Sequence, residues 1–121
     1  MKATKKVNVL GTVYTIYDVK AGEDETVDAV FDKLGCDGYT DSSTHEIILK
    51  VVDPEPNRPA DLEEYRRETL RHELVHAFLN ESGLECCSVG VDCWAQNEEM
   101  VDWFAIQSPK IFKAFQEAGC L

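Results

Sequence analysis

The residues of this 121-residue chain best suited to chemistry lie together in His72-Glu73-Leu74-Val75-His76. On a helix, positions four apart are separated by about 400° of rotation, so both imidazoles leave one face, one turn apart. Nitrogens so placed can bind one zinc ion at distances near ~2.0–2.1 Å. Glu73 sits beside that face, where it can take a proton from a metal-bound water and pass it to a leaving amine. Two of the chain's three histidines fall in this motif, which speaks against a chance match on an amphipathic helix. A catalytic zinc needs a third protein ligand and keeps its fourth position for water. Downstream, Glu98 and Asp102 are again four apart and share a helical face. One can bind the metal while the other accepts the free N–H of a ligand histidine, fixing its tautomer and orienting its ring. The alternative is that Glu98, Glu99 and Asp102 are ordinary solvated carboxylates.

Position by position, Asn97, Glu98, Val101 and Asp102 following His72-Glu73-x-x-His76 resemble the N-E-x-x-[SA]-D pattern of thermolysin-type gluzincins, with Val101 where a small residue is usual. The resemblance implies that Glu98 is the third zinc ligand and that Asp102 supports His72. The chain is far too short for the two domains of thermolysin. Its compact layout, RHELVHAFLNESGL and then NEEMVDWFA, is similar to minimal zinc peptidases of the ImmA/IrrE family and to small phage or prophage metallopeptidases. Their second motif, E-x-x-A-[ND]-x-F-A, is echoed by Glu98, Val101, Asp102, Phe104 and Ala105. The cysteine-bearing loop between the motifs has no counterpart in that pattern.

What the resemblance implies is a metallopeptidase with Zn2+ as cofactor and Glu73 as general base, in one minimal zincin-like domain over residues 1–121. Its substrate would be a protein or peptide, with a regulatory protein favoured over general digestion. Zincins commonly take substrate as a strand added to an exposed sheet edge. The candidate edge is His45 to Val52, the alternative being an internal strand. The competing class is a non-catalytic zinc-binding or peptide-binding regulatory module derived from a peptidase. Glu73 argues against it, because a purely structural site has no use for that carboxylate. A closed structural site would also need a fourth protein ligand, such as a loop cysteine.

These residues need elements to position them. Lys6 to Val19, rich in Val, Ile, Thr and Tyr around Gly11, reads as a bent strand or tight hairpin. Val27, Val30, Phe31 and Leu34 recur at helical spacing within Glu25 to Leu34, and Gly35 stops that helix. Gly38 to Asp41 and His45 to Val52 make a second hairpin around Ser42-Ser43-Thr44. Pro54, Pro56 and Pro59 keep the next loop extended. Asp61 and Glu64 form a capping box that opens the motif-bearing helix, which carries apolar Leu62, Tyr65, Leu70, Leu74, Ala77 and Phe78 and ends at Ser82-Gly83. A loop of about a dozen residues with Cys86, Cys87 and Cys93 leads to a helical region from Trp94 to Ala118, broken or kinked at Ser108-Pro109. Trp94, Trp103, Phe104, Phe112 and Phe115 read as core packing. Strands first and two principal helices after them predict a small α+β domain with a mostly antiparallel sheet.

Twelve Lys and Arg against 23 Asp and Glu give a formal net charge of −11. That balance argues against nucleic acid as the main partner and against docking on anionic membranes. No apolar run follows the basic start at Met1 to Lys6, so neither a signal peptide nor a membrane span is expected. The five cysteines are odd in number, with Cys86 and Cys87 adjacent, unlike a secreted disulfide framework. The expectation is a cytoplasmic protein with free thiols. His45, Tyr39, Tyr65 and Arg71 are all candidates for stabilising an oxyanion, and nothing in the sequence selects among them.

Overall fold

The computed structural model describes residues 1–87 and 98–121, with the side chains at 86, 87, 98, 101, 102 and 105 outside that description. Strands β1 (Ala3–Val9) and β2 (Thr12–Val19) pair antiparallel. Their turn, Leu10-Gly11, has positive φ at both residues, 51° and 96°, the hand that matches the twist of a hairpin. Helix α1 (Glu25–Leu34) starts where the Asp24 carboxylate accepts the Thr26 and Val27 amides. It stops at Gly35, whose φ of 62° is left-handed. Strands β3 (Gly38–Asp41) and β4 (Glu46–Lys50) form the second hairpin.

The sheet order is β1-β2-β4-β3. The chain passes from β2 through α1 to β3, which runs opposite to β2, and the β3–β4 hairpin reverses it again, so β4 runs parallel to β2. The sheet is therefore mixed: its two outer pairings are antiparallel, in keeping with the mostly antiparallel expectation, and its central pairing is parallel. It also follows that the stretch His45 to Val52 is not an edge: β4 is flanked by β2 on one side and β3 on the other. The physical reason lies in its side chains. Ile47, Ile48 and Leu49 are all buried, and consecutive apolar residues need cover on both sheet faces, as a central strand has. Next to the motif helix, the edge is β3.

Helix α2 (Leu62–Glu81) and helix α4 (Glu98–Ala118) cover one sheet face. Leu70, Leu74, Ala77 and Phe78 of α2 meet Tyr14, Ile16, Ile47 and Leu49 of the sheet. On the other face, Val19 and Ile48 pack on Val27 and Phe31 of α1. The Asp61 carboxylate caps α2 by accepting the Glu64 amide at 3.0 Å. The capping box is only half formed, since the Glu64 carboxylate pairs forward with Arg67 and Arg71.

Past Gly83, residues expected in a loop form a short helix, α3 (Leu84–Cys87). Cys93, Trp94 and Asn97 lie outside the described residues. Helix α4 continues through Pro109 without the break that was one of the two expectations there. Trp103 on one side of the proline and Ile111 and Ala114 on the other are all buried in one core, so packing holds both halves despite the lost N–H. Phe104 and Phe112 are exposed, a correction to their reading as core, because they fall on the outer face of α4. Two tethers join α4 to α2: Trp103 Nε1 donates to Ser82 Oγ at 2.9 Å, and Arg71 Nη1 donates to the Cys120 carbonyl. Among the described residues, no helix is long and apolar enough to cross a membrane.

Candidate metal centre

Helix α2 places His72 and His76 one turn apart, both exposed. Their Nε2 atoms face each other at 3.1 Å, with the rings 4.8 Å apart and inclined at 71°. Two zinc–nitrogen bonds of ~2.0–2.1 Å at a tetrahedral angle separate their nitrogens by about 3.3 Å. The observed nitrogen spacing is close to what a shared ion would need. One ring N–H donating to the other ring nitrogen satisfies the same contact in its absence.

Glu73, on the next helical position, is only 6% exposed. It is the one buried charged residue among those described, and burial of a carboxylate calls for a partner. Thr40 on β3 supplies it: Thr40 Oγ1 lies 2.7 Å from Glu73 Oε2 and 3.0 Å from the Glu73 carbonyl oxygen. Gly38 lets the strand come this close. A Cβ there would stand 2.7 Å from Thr69 Cγ2 and 3.3 Å from Glu73 Cγ, a clash with the helix that carries the motif. His72, Glu73 and His76 open into one cavity of about 400 Å³, which Gly38, Tyr39 and Thr40 of the edge strand also line.

The start of β3 is clamped from two directions. Arg58 donates to both oxygens of Asp37, at 2.6 and 3.3 Å, and Tyr65 Oη donates to Oδ2 at 2.6 Å. The Arg58 guanidinium holds the Asp37 carboxyl below its ordinary range against the opposing effect of burial, and the Tyr65 hydroxyl adds to it. Arg58 reaches this position because the proline-rich loop turns rather than staying extended. Its amide bonds the Glu55 carbonyl at 3.0 Å, with Pro56 at the position such a turn favours.

The oxyanion candidates can now be separated. Tyr65 is committed to Asp37, and Arg71 to Glu64 and the Cys120 carbonyl. His45 lies in the β3–β4 turn with φ of 57°. Its ring packs edge-on against Tyr14 and approaches Glu81, which accepts hydrogen bonds from Tyr14 and Thr12. Tyr39 is among the residues lining the cavity, but its ring packs on Phe31 of α1 at 5.3 Å, on the sheet face opposite to Thr40 and Glu73, so it is not brought to the motif as an oxyanion donor. Burial, followed by the charge of Asp41, raises its phenol above the ordinary value.

Glu98 and Asp102 lie on the first turns of α4, and their side chains fall outside the described residues. Glu99 is exposed, and Trp103, four residues on, is buried. Among the described residues, no group of three metal-ligating side chains forms. Cys36 and Cys120 are free thiols, the latter buried. The site contacts that sequence reasoning missed are Gly38, Thr40 and the Asp37–Arg58 clamp. The only signal for the first two was their spacing, which puts both on one face of a strand. Comparison with protein-family models, curated proteins and solved structures finds no match to this chain.

Proposed function

We propose that this chain is a zinc-dependent metallopeptidase of minimal zincin type, with His72, His76 and Glu98 holding the metal and Glu73 as general base. The observation that carries the reading is the convergence of two facing imidazole nitrogens and a buried carboxylate on one cavity. Zinc, when bound, supplies Lewis acidity that polarises a carbonyl and makes water acidic near neutral pH.

The chain's own residues supply the rest. Thr40 engages Oε2 of Glu73, which leaves Oε1 to take the proton of an attacking water and later deliver it to the leaving amine. The burial of Glu73 strengthens its hydrogen bond and keeps competing water away from it. Strand β3 is paired on one side only among the described residues. Its free backbone groups suit a peptide added as a further strand, which would lay a substrate carbonyl across the cavity. Asp102 would orient His72 through its second ring nitrogen. The resemblance to the ImmA/IrrE family favours a regulatory protein as substrate.

The test is elemental analysis with an activity assay on an internally quenched peptide library. Wild type should carry about one zinc and cleave, His76→Ala should lose the metal, and Glu73→Gln should keep metal and fold but lose cleavage. Equal zinc in wild type and His76→Ala, or full cleavage by Glu73→Gln, would sink the reading.

A further inference from the structure

Resting on that reading, we infer that the cleft takes cationic polypeptide, binding a Lys- or Arg-bearing segment across the metal motif. Two cavities share His72 and Glu73, one of about 400 Å³ and one of about 290 Å³. Exposed Glu85 lines the first and exposed Glu68 the second, so each cavity that shares His72 and Glu73 carries a further carboxylate. No Lys or Arg is among the described residues lining either cavity.

The sequence extends this beyond the described residues. Between Arg71 and Lys110 the chain has five Glu and two Asp, with neither Lys nor Arg. That stretch includes the motif, the segment at 88–97 and the first half of α4. Residues 88–97 themselves contain neither Lys nor Arg.

Nor are the chain's guanidiniums free to serve a substrate carboxylate. All four arginines are engaged: Arg58 with Asp37, Arg66 with Asp18, Arg67 with Glu63, and Arg71 with Glu64. A peptide ending in a free carboxylate at the cleft would meet no guanidinium, whereas internal Lys or Arg side chains would meet Glu68 and Glu85. A bound zinc adds two positive charges, which Glu73 and Glu98 offset. A cleft lined by one sign of charge concentrates ligands of the other sign and discriminates against like-charged ones.

The experiment measures binding apart from cleavage. Three fluorescein-labelled peptides of about ten residues, alternating Ala with Lys, Gln or Glu, are titrated by anisotropy into protein held in EDTA and into the zinc-loaded form. The Lys peptide should bind about ten-fold tighter than the Gln peptide, with the Glu peptide weakest, and the preference should shrink as salt rises from about 50 to about 500 mM. Glu68→Gln and Glu85→Gln should each reduce the preference by roughly three-fold. Glu117→Gln, in a separate groove beside Lys110 and Lys113, should leave it unchanged. Equal affinities for the three peptides, no binding of any, or an equal loss with Glu117→Gln would overturn the inference. Tight Lys-peptide binding without cleavage in zinc would leave it standing and refute the peptidase reading instead.

Discussion

At the scale of single residues, the site depends on how a buried carboxylate is held. Thr40 provides the one side-chain hydrogen bond to Glu73 among the described residues, and a buried acceptor without its donor costs about 1–3 kcal/mol. Thr40→Val, which keeps the shape and removes the hydroxyl, should lower stability by about that amount in denaturant unfolding. It should lower kcat roughly ten-fold at unchanged KM, with Thr40→Ser restoring both. Unchanged kcat in Thr40→Val would remove Thr40 from the positioning of Glu73. Gly38 acts through space rather than chemistry. The 2.7 Å approach of a Cβ to Thr69 Cγ2 puts Gly38→Ala among overpacking substitutions, at about 1–3 kcal/mol. Thr69→Ser deletes the obstructing methyl while keeping the hydroxyl bonded to the Tyr65 carbonyl. In the double variant most of the loss should be recovered, and additive losses in a double-mutant cycle would contradict the clash. The His72, Glu73 and His76 constellation was legible in the sequence because residues one helical turn apart need only the helix to meet. Thr40 was not, because it reaches Glu73 across 33 positions of chain, through a tertiary contact that no local spacing encodes.

At the scale of elements, the edge strand is held by the loop that follows its hairpin. Arg58 and Tyr65 converge on Asp37, one residue before β3 begins. Its carboxyl is shifted below the ordinary 3.8, by Arg58 first, against burial and with help from Tyr65. A depressed folded-state value means that the clamp's stabilisation is complete above the unfolded value and is lost as pH falls through the folded one. The clamp should therefore hold at neutral pH and release only in strong acid. In thermal unfolding, Asp37→Asn should be less stable than wild type at pH about 7, with the gap closing as the pH falls below the ordinary 3.8. A gap that stays constant down to low pH would assign the effect to packing instead. The strands, α1 and α2 were readable from alternation, caps and glycine stops, because those signals are local. The internal place of β4 was also encoded, in the run Ile47-Ile48-Leu49, but choosing between edge and centre requires knowing that β2 pairs with β4, a strand separated from it by α1 and β3. The continuity of α4 through Pro109 was not readable, since core packing on both sides of the proline overrides its local penalty.

At the scale of the whole molecule, metal binding and folding should be linked, because the proposed ligands lie on two helices. His72 and His76 belong to α2 and Glu98 to α4. Those helices already meet through Trp103 and Ser82 and through Arg71 and the Cys120 carbonyl. An ion held by all three side chains closes a further link that exists only in the folded chain, so it stabilises by about 2.7 kcal/mol at a hundredfold excess over its dissociation constant. For a domain of this size that corresponds to a rise in Tm on the order of 10 °C. Wild type should show this rise between EDTA and zinc, while His76→Ala melts at the same temperature in both. Glu98 and Glu99 point about 100° apart on a helix, so only one can face the histidines. Glu99 shares its stripe with buried Trp103, whereas Glu98 shares a face with Asp102. Glu98→Gln should therefore lose most of the zinc-dependent rise and Glu99→Gln almost none, and Asp102→Ala should weaken zinc roughly ten- to a hundredfold without abolishing it. A larger loss for Glu99→Gln than for Glu98→Gln would turn α4 by one residue relative to the histidines and would take the supporting role from Asp102. An equal rise in wild type and His76→Ala would place the stabilising ion away from α2 altogether.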